Sequence, residues 1–293
     1  MDATKDTVDN RINECSKNGG TIMDLKELGL TTLPDNIPDT IEYLFLNDNE
    51  LLALPDLSKF KNLIVVDVSY NNLAMLDVKN VSQLEELMCN NNAITSLQVP
   101  DGLKRLNCSF NLLTVLPPIP NIEILACTDN KLTIIDDCPK VMKIYCNNNA
   151  ITKINGCKFL IELYCQNNKL YDLNASEYLE KLICDHNKLL CIKDYPKVER
   201  IDCQYNDISE IGKCDRLMEL NCCCNKLTKL NSFAELCTLS CFGNKITSIA
   251  FSPLLGTLAV DYTNNINLSS KFKIKDYKLC KKSNIIIFYF DNS

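Results

Sequence analysis

Residues 84–97 read LEELMCNNNAITSL, and the same order of residue types returns along most of the chain. Later copies include LKRLNCSFNLLTVL at 103–116, LIELYCQNNKLYDL at 160–173 and LCTLSCFGNKITSI at 236–249, which together give the template LxxLxCxxNxLxxL. The template asparagine falls at positions 49, 71, 92, 111, 130, 149, 168, 187, 206, 225 and 244. This near-constant period indicates a stack of similar coils, one per repeat.

The first seven positions of the template predict a short strand. Apolar positions 4 and 6 alternate with variable positions 3, 5 and 7, so one set of side chains faces the core and the other faces outward. Stacked strands of this kind form a parallel sheet. The asparagine at position 9 both donates and accepts hydrogen bonds, so a column of asparagines can satisfy buried backbone groups between coils. We expect this ladder to comprise Asn92, Asn111, Asn130, Asn149, Asn168, Asn187, Asn206, Asn225 and Asn244.

The pattern is similar to that of the leucine-rich-repeat family, whose motif LxxLxLxxNxL is matched from about Met23 to Ile249. The short cysteine-bearing repeats of 19 to 22 residues resemble those of bacteria, including the bacterial effector type, and of large amoebal viruses. The resemblance implies an α/β, β-dominated solenoid with a curved parallel sheet on its concave face. A 19-residue coil has no room for a return helix, so we expect an extended, polyproline or 3-10 convex side.

The repeats predict three parts of the chain. Residues 1–20 are expected to form an amino-terminal capping helix, because apolar residues recur on one helical face before a pair of glycines. Residues 21–254 are expected to form a solenoid of about 12 coils. Residues 255–293 are expected to form a degenerate last repeat and a carboxy-terminal cap, since a solenoid must cover its last coil.

The carboxy-terminal cap contains two contrasting segments. The apolar run IIIFYF at 285–290 is expected to close the last coil as an edge strand. The preceding segment KFKIKDYKLCKK at 271–282 is rich in lysine, and lysines at a sheet edge oppose aggregation. This edge is also where self-association would be sought, although the sequence leaves the oligomeric state open.

Charge and composition limit the classes of partner and location. The formal net charge is −6 and the isoelectric point is near 5.0, so nucleic acid is not expected as a partner, because phosphate binding draws on clustered lysine and arginine. A protein partner with a basic surface is expected instead. The polar start MDATKDTVDN is unlike a secretory signal, and the chain contains no long apolar run. We therefore expect no membrane association and a reducing intracellular location: cytoplasm, or host cell or virion for a viral protein.

Eighteen cysteines are present, and nine of them occupy template position 6, which faces the core. We interpret this column as small apolar side chains. Disulfides and zinc are the alternatives, but parallel side chains suit neither a disulfide nor four convergent ligands, so no metal and no cofactor are predicted. Cys223 and Cys224 take positions 7 and 8 and are expected to be the most exposed and reactive thiols. The predicted column is Cys89, Cys108, Cys127, Cys146, Cys165, Cys184, Cys203, Cys222 and Cys241.

The outward positions 2, 3, 5, 7 and 8 of the template predict the binding surface. Aromatic residues gather in the middle coils, with Tyr145 and Tyr164 expected on neighbouring strands, and acidic residues outnumber basic ones. Tyrosine is a common interface anchor, and negative charge steers a basic partner. We predict partner binding by Phe110, Tyr145, Tyr164, Ile183, His186, Tyr205, Glu162, Asp185, Glu199 and Asp202.

The sequence predicts no catalytic residues. His186, the only histidine, follows Asp185, but the motif positions no nucleophile to complete a relay. We therefore predict a non-enzymatic protein-interaction scaffold. Two alternatives stay open from the sequence: a structural component of a larger assembly or particle, and an adaptor or effector that recruits substrates to a separate enzyme.

Overall fold

The computed structural model describes residues 3–262, 266–280 and 285–291. They group into two compact units, Met1–Asn149 and Ala150–Ser293. Each unit is a stack of coils in which a short strand leads into a turn and then an extended return segment. The three-part division of the chain stays a prediction.

The first unit contains one helix followed by short strands. These elements are α1 (Ala3–Lys17), β1 (Ile22–Asp24), β2 (Tyr43–Phe45), β3 (Val65–Asp67), β4 (Met75–Asp77), β5 (Glu86–Met88), β6 (Ser96–Gln98), β7 (Arg105–Asn107), β8 (Ile124–Ala126), β9 (Ile134–Ile135) and β10 (Lys143–Tyr145). Its main sheet is parallel, with the order β1-β2-β3-β5-β7-β8-β10. On the return side β4 pairs with β6, also in parallel.

The second unit repeats this plan and ends differently. Its elements are β11 (Lys153–Ile154), β12 (Glu162–Tyr164), β13 (Lys181–Ile183), β14 (Cys191–Ile192), β15 (Arg200–Asp202), β16 (Glu210–Ile211), β17 (Glu219–Asn221), β18 (Thr238–Ser240), β19 (Ser248–Ile249), β20 (Thr257–Asp261), β21 (Asn267–Leu268), β22 (Ile274–Cys280) and β23 (Ile285–Phe290). The order β12-β13-β15-β17-β18-β20 is parallel, and β23 then β22 add antiparallel strands. Return strands pair as β14 with β16 and β19 with β21.

The strands pair in a register that aligns each template position with the same position of the next coil. Leu182 of β13 lies opposite Ile201 of β15, which lies opposite Leu220 of β17. These inward side chains are buried, whereas the residues on either side of them face outward. Beyond α1, the described residues contain no further helix, which confirms the extended return side predicted from the short period.

The helix α1 covers the first edge of the parallel sheet, as predicted. Its apolar residues Val8, Ile12 and Cys15 are buried. The Arg11 guanidinium donates through Nη1 to the backbone oxygens of Asp24, at 3.3 Å, and of Lys26, at 3.0 Å. These carbonyls belong to the edge strand β1 and the residues after it, so Arg11 satisfies acceptors that no neighbouring strand reaches.

The position of the edge strand in the tail was predicted wrongly. The apolar strand β23 lies between β20 and β22, and the lysine-rich β22 is the outer strand. An interior place suits β23 because Phe288 faces Leu258 of the last coil, and Phe290 is buried against Phe272. The end of the lysine-rich segment, 281–282, lies outside the described residues.

The asparagine at position 9 joins each coil to the one before it. Asn187 accepts the backbone N–H of Leu170 at 2.9 Å, and its Nδ2 donates to the backbone oxygen of Cys165 at 2.9 Å, both in the preceding coil. The same Nδ2 donates to the oxygen of Cys184 in its own coil at 3.1 Å. Every asparagine of the ladder accepts from the preceding coil and donates to the position 6 carbonyl of its own coil.

The residue before each asparagine adopts a left-handed backbone conformation. Its φ lies between 52° and 57° at every non-glycine position 8 from Asp48 to Cys224 and is 70° at Gly243. β-branched side chains are strongly disfavoured at positive φ, and none occurs at position 8 in these coils. The residues found at position 8 tolerate the turn: they are aspartate, asparagine, tyrosine, phenylalanine, histidine, cysteine and glycine.

We expect Asn206→Asp to lower the free energy of unfolding by about 3 kcal/mol at neutral pH. The asparagine Nδ2 donates to the backbone oxygens of Cys184, Cys203 and Gln204, so a carboxylate would be buried against three carbonyls. This environment raises the pKa of the introduced acid, so the loss of stability grows as the pH rises above about 4, the unfolded value, and is larger at pH 8 than at pH 5.

Urea unfolding of both variants at the two pH values measures this effect. Asn80→Asp is the matched control, because Asn80 is exposed on a return segment and the same change should leave stability nearly unchanged. Equal losses of unfolding free energy in the two variants would show that the hydrogen bonds of Asn206 do not make the predicted contribution to stability.

Candidate partner-binding face

Side chains at position 3 form a charged row along the sheet of the second unit. Glu162, Lys181, Arg200 and Glu219 occupy successive strands in register. The Lys181 Nζ lies 5.0 Å from the centre of the Tyr164 ring, and an Arg200 nitrogen lies 3.1 Å from a Glu219 carboxylate oxygen. The two basic side chains are thus engaged by neighbours on the same face.

A shallow groove follows this charged row on its position 2 side. Its lining residues are Glu162, Glu180, Lys181, Glu199, Arg200, Met218 and Glu219. Glu180 and Glu199 form no side-chain ion pair within the part of the chain that the structure describes. The groove therefore combines uncompensated negative charge with one exposed thioether, that of Met218.

Side chains at position 5 form a second row, which lies between the position 3 row and the position 7 and 8 side of the face and which we call the floor. Tyr164, Ile183 and Asp202 follow one another in register, and Ile183 is only 8% exposed although its position points outward. Burial raises the pKa of Asp202, whereas hydrogen bonds from the Gln204 backbone and the Asn221 amide act in the opposite direction. The floor is therefore partly apolar and carries one carboxyl group.

An exposed aromatic pair occupies the position 7 and 8 side of the face. The rings of His186 and Tyr205 are stacked, with centroids 4.5 Å apart and an interplanar angle of 28°. The His186 Nδ1 lies 2.9 Å from the Asp185 Oδ2, which orients the imidazole. Both aromatic residues are held by the left-handed turn, and Tyr205 stays 48% exposed.

These contacts bring several of the predicted residues together in one unit. Tyr164, Asp202, Asp185, His186 and Tyr205 all lie on the face of the second unit. Glu162 and Glu199 belong to its groove.

Phe110 and Tyr145 belong to the first unit. Phe110 is exposed at a left-handed position 8, and Tyr145 ends β10. On the same unit, Lys104 and Arg105 pair with Glu85 and Glu86 at 2.7 and 2.8 Å. The expected neighbouring position of Tyr145 and Tyr164, which belong to different units, stays a prediction.

The cysteine ladder is buried, as predicted. Burial raises the pKa of the thiols, for example that of Cys108 and that of Cys241 to about 12. Such thiols are poor nucleophiles and poor metal ligands. Among the described residues, no group of three or more histidine, cysteine, aspartate or glutamate side chains is arranged to hold a metal ion.

The exposure of Cys223 was predicted wrongly. Cys223 is buried, and burial raises its pKa, whereas Cys224 is partly exposed. Position 7 turns partly inward at the end of the strand, as the buried Ser69 and Ser109 at the same position also show. The small residues that recur at position 7 are the sequence signal for this.

Similarity to solved structures supports the same architecture. YopM, a leucine-rich effector protein from Yersinia pestis, is similar over 91% of this chain and 87% of its own, with 21% identity and a TM-score of 0.65. This chain has the leucine-rich-repeat fold. The repeat domain of a Shigella effector matches 56% of this chain and 77% of that domain, with 28% identity and a TM-score of 0.50. The leucine-rich-repeat domain of APL1B matches 85% of this chain and 88% of that domain, with 18% identity and a TM-score of 0.59.

No protein-family model matches the sequence of this leucine-rich-repeat chain. In the described residues, no helix has the length and apolar character needed to cross a membrane.

In the native protein, we expect iodoacetamide to modify Cys224 at least about tenfold faster than Cys223, because only Cys224 is partly exposed. The partly exposed Cys191 and Cys237 should react as well, whereas the ladder cysteines should react only after unfolding. Tandem mass spectrometry of the alkylated peptides assigns each site, and guanidinium-unfolded protein serves as the control. Equal native rates at Cys223 and Cys224 would contradict the structure.

Proposed function

We propose that this leucine-rich-repeat chain is a non-enzymatic scaffold that binds a protein partner with a basic surface, on the outward face of the second unit. The observation that carries the proposal is the stacked, exposed pair of His186 and Tyr205 beside the carboxylate of Asp185. Two of the similar solved structures are of effectors, a class compatible with recognition of another protein.

The aromatic pair has the properties of an interface anchor. Tyrosine supplies a large contact area with little conformational entropy to lose, and stacking on His186 restricts the ring further before any partner arrives. The left-handed turn fixes the backbone from which both side chains project. A partner would therefore meet a preorganised surface that combines apolar faces with polar edges.

The charges of the face favour a basic partner. Lys181 and Arg200 are engaged with Tyr164 and Glu219, so their charges are partly compensated within the face. Glu180 and Glu199 line the groove, and opposite charges on a partner would increase both the association rate and the specificity. On the first unit, the exposed Phe110 and the partly buried Tyr145 are proposed as partner contacts of that unit.

We expect Tyr205→Ala to weaken partner binding about tenfold or more, as is typical for loss of an aromatic anchor. The partner is first captured from native extract under reducing conditions and identified, and its Kd is then measured with purified proteins. Tyr171→Ala is the matched control, because Tyr171 is 56% exposed on the return side. Equal affinities for the two variants would exclude this face as the binding site and favour a structural role in a larger assembly.

The charge of the groove is tested separately. The double variant Glu180→Gln with Glu199→Gln should slow association and flatten the dependence of Kd on ionic strength, because steering by exposed charges is screened by salt. Glu210→Gln, at an exposed position of β16, removes the same charge from the return side and should change neither. An unchanged salt dependence in the double variant would contradict the choice of a basic partner.

A further inference from the structure

The outer strand β22 leaves one edge of its sheet open. Its residues from Ile274 to Lys278 are exposed, and within the described ranges no strand pairs with the edge that faces away from β23. The backbone N–H of Tyr277 donates to the carboxylate of the preceding Asp276 at 2.7 Å. This amide is therefore directed away from β23, as alternate residues of an antiparallel strand are.

The two outermost strands, β1 and β22, differ in how their open edges are covered. At β1, helix α1 covers the edge, and Arg11 satisfies backbone oxygens. At β22, the outward N–H of Tyr277 has only a side chain next to it as acceptor, and the Tyr277 ring is 62% exposed. An uncovered edge of this length is a template for pairing with another strand.

We propose that β22 pairs with β22 of a second copy of this chain, antiparallel and about a two-fold axis at Tyr277, to form a homodimer. The two main sheets would then continue across the contact. The evidence for this occupant is the charge pattern of the strand, IKDYKLC, which complements itself in one register.

The charges select the register. A two-fold axis perpendicular to the sheet places opposite one another only residues whose side chains lie on the same face. With the axis at Tyr277, Asp276 of each copy lies opposite Lys278 of the other, which makes two favourable pairs. An axis at Asp276 or at Lys278 would place like charges directly opposite each other, which is destabilising.

The backbone and the apolar residues fit the same register. The outward N–H and C=O of Tyr277 would exchange hydrogen bonds with those of Tyr277 in the second copy, and the Asp276 carboxylate would turn from this amide to the partner's Lys278. The two Tyr277 rings, exposed in the single chain, would cover each other. A β-bulge between Ile274 and Asp276 interrupts the regular alternation at Lys275, so the regular part of this pairing spans Asp276, Tyr277 and Lys278 and places no two lysines opposite each other.

Charge exchange between two variants tests the proposal in the full chain. Sedimentation velocity from about 1 µM to about 200 µM should show a concentration-dependent dimer of the wild-type protein, as expected for a small interface. Asp276→Lys and Lys278→Asp should each weaken dimerisation about tenfold or more, because both cross-strand pairs become repulsive. An equimolar mixture of the two variants should recover the dimer, because opposite charges then meet again.

The controls separate a change in the interface from a change in folding. Lys245→Asp carries the same charge change at an exposed position of a coil and should dimerise like the wild type. Tyr277→Pro removes the outward donor together with the exposed ring and leaves the hydrogen bonds to β23 in place, a change that an edge strand tolerates, so it should yield a folded monomer by circular dichroism.

In the wild type, amide hydrogen exchange at Tyr277 should slow as the protein concentration rises, a readout that needs no variant. A wild-type protein that stays monomeric at every concentration, or a mixture of variants that does not recover the dimer, would overturn the proposal. A dimer that survives Tyr277→Pro would do the same, because it must use another surface.

Discussion

The hydrogen bonds of the asparagine ladder are the contacts on which the rest of the structure depends. A coil of 19 residues is too short to enclose a core, so its inward leucines and cysteines are buried only when the next coil lies against it. The turn after each strand places backbone oxygens and N–H groups beside that core, where an unsatisfied group is costly. Asn187 and its equivalents supply both a donor and an acceptor at this point. Each carbonyl at an interior cysteine such as Cys184 then accepts from two asparagines, one in each of two coils.

The cysteine column follows from the same geometry. The position 6 side chain is buried in each of these coils, on the residue whose carbonyl the asparagines use. A buried thiol fills this space without requiring a hydrogen-bond partner, and its raised pKa keeps it neutral. The regular period of the cysteines is therefore a packing feature, and the partly exposed thiols such as Cys224 lie outside the column.

Much of this fold was predictable because periodic signals are strong where every coil meets the same constraint. The strand positions, the extended return and the capping helix follow from period, alternation and glycine punctuation. Departures from periodicity were predicted less well. The order of β22 and β23 depends on which strand buries its aromatic residues against the last coil, and that contact is not local in the sequence. For the face, the sequence placed His186 and Tyr205 in one column, but the burial of Ile183 and Cys223 depends on neighbouring coils.

The left-handed conformation at position 8 restricts how the outward face can diversify. Valine, isoleucine and threonine are effectively barred from that column, whereas asparagine, tyrosine and histidine are accepted, and these are residue types that suit molecular recognition. Substitutions among the accepted residue types change the chemistry of the position 8 column, here called the rim, while the backbone turn stays the same. The rim thus behaves as an array of exchangeable contact points spaced about 4.8 Å apart, one per coil. New specificity can arise there by single substitutions that leave the interior of the protein untouched.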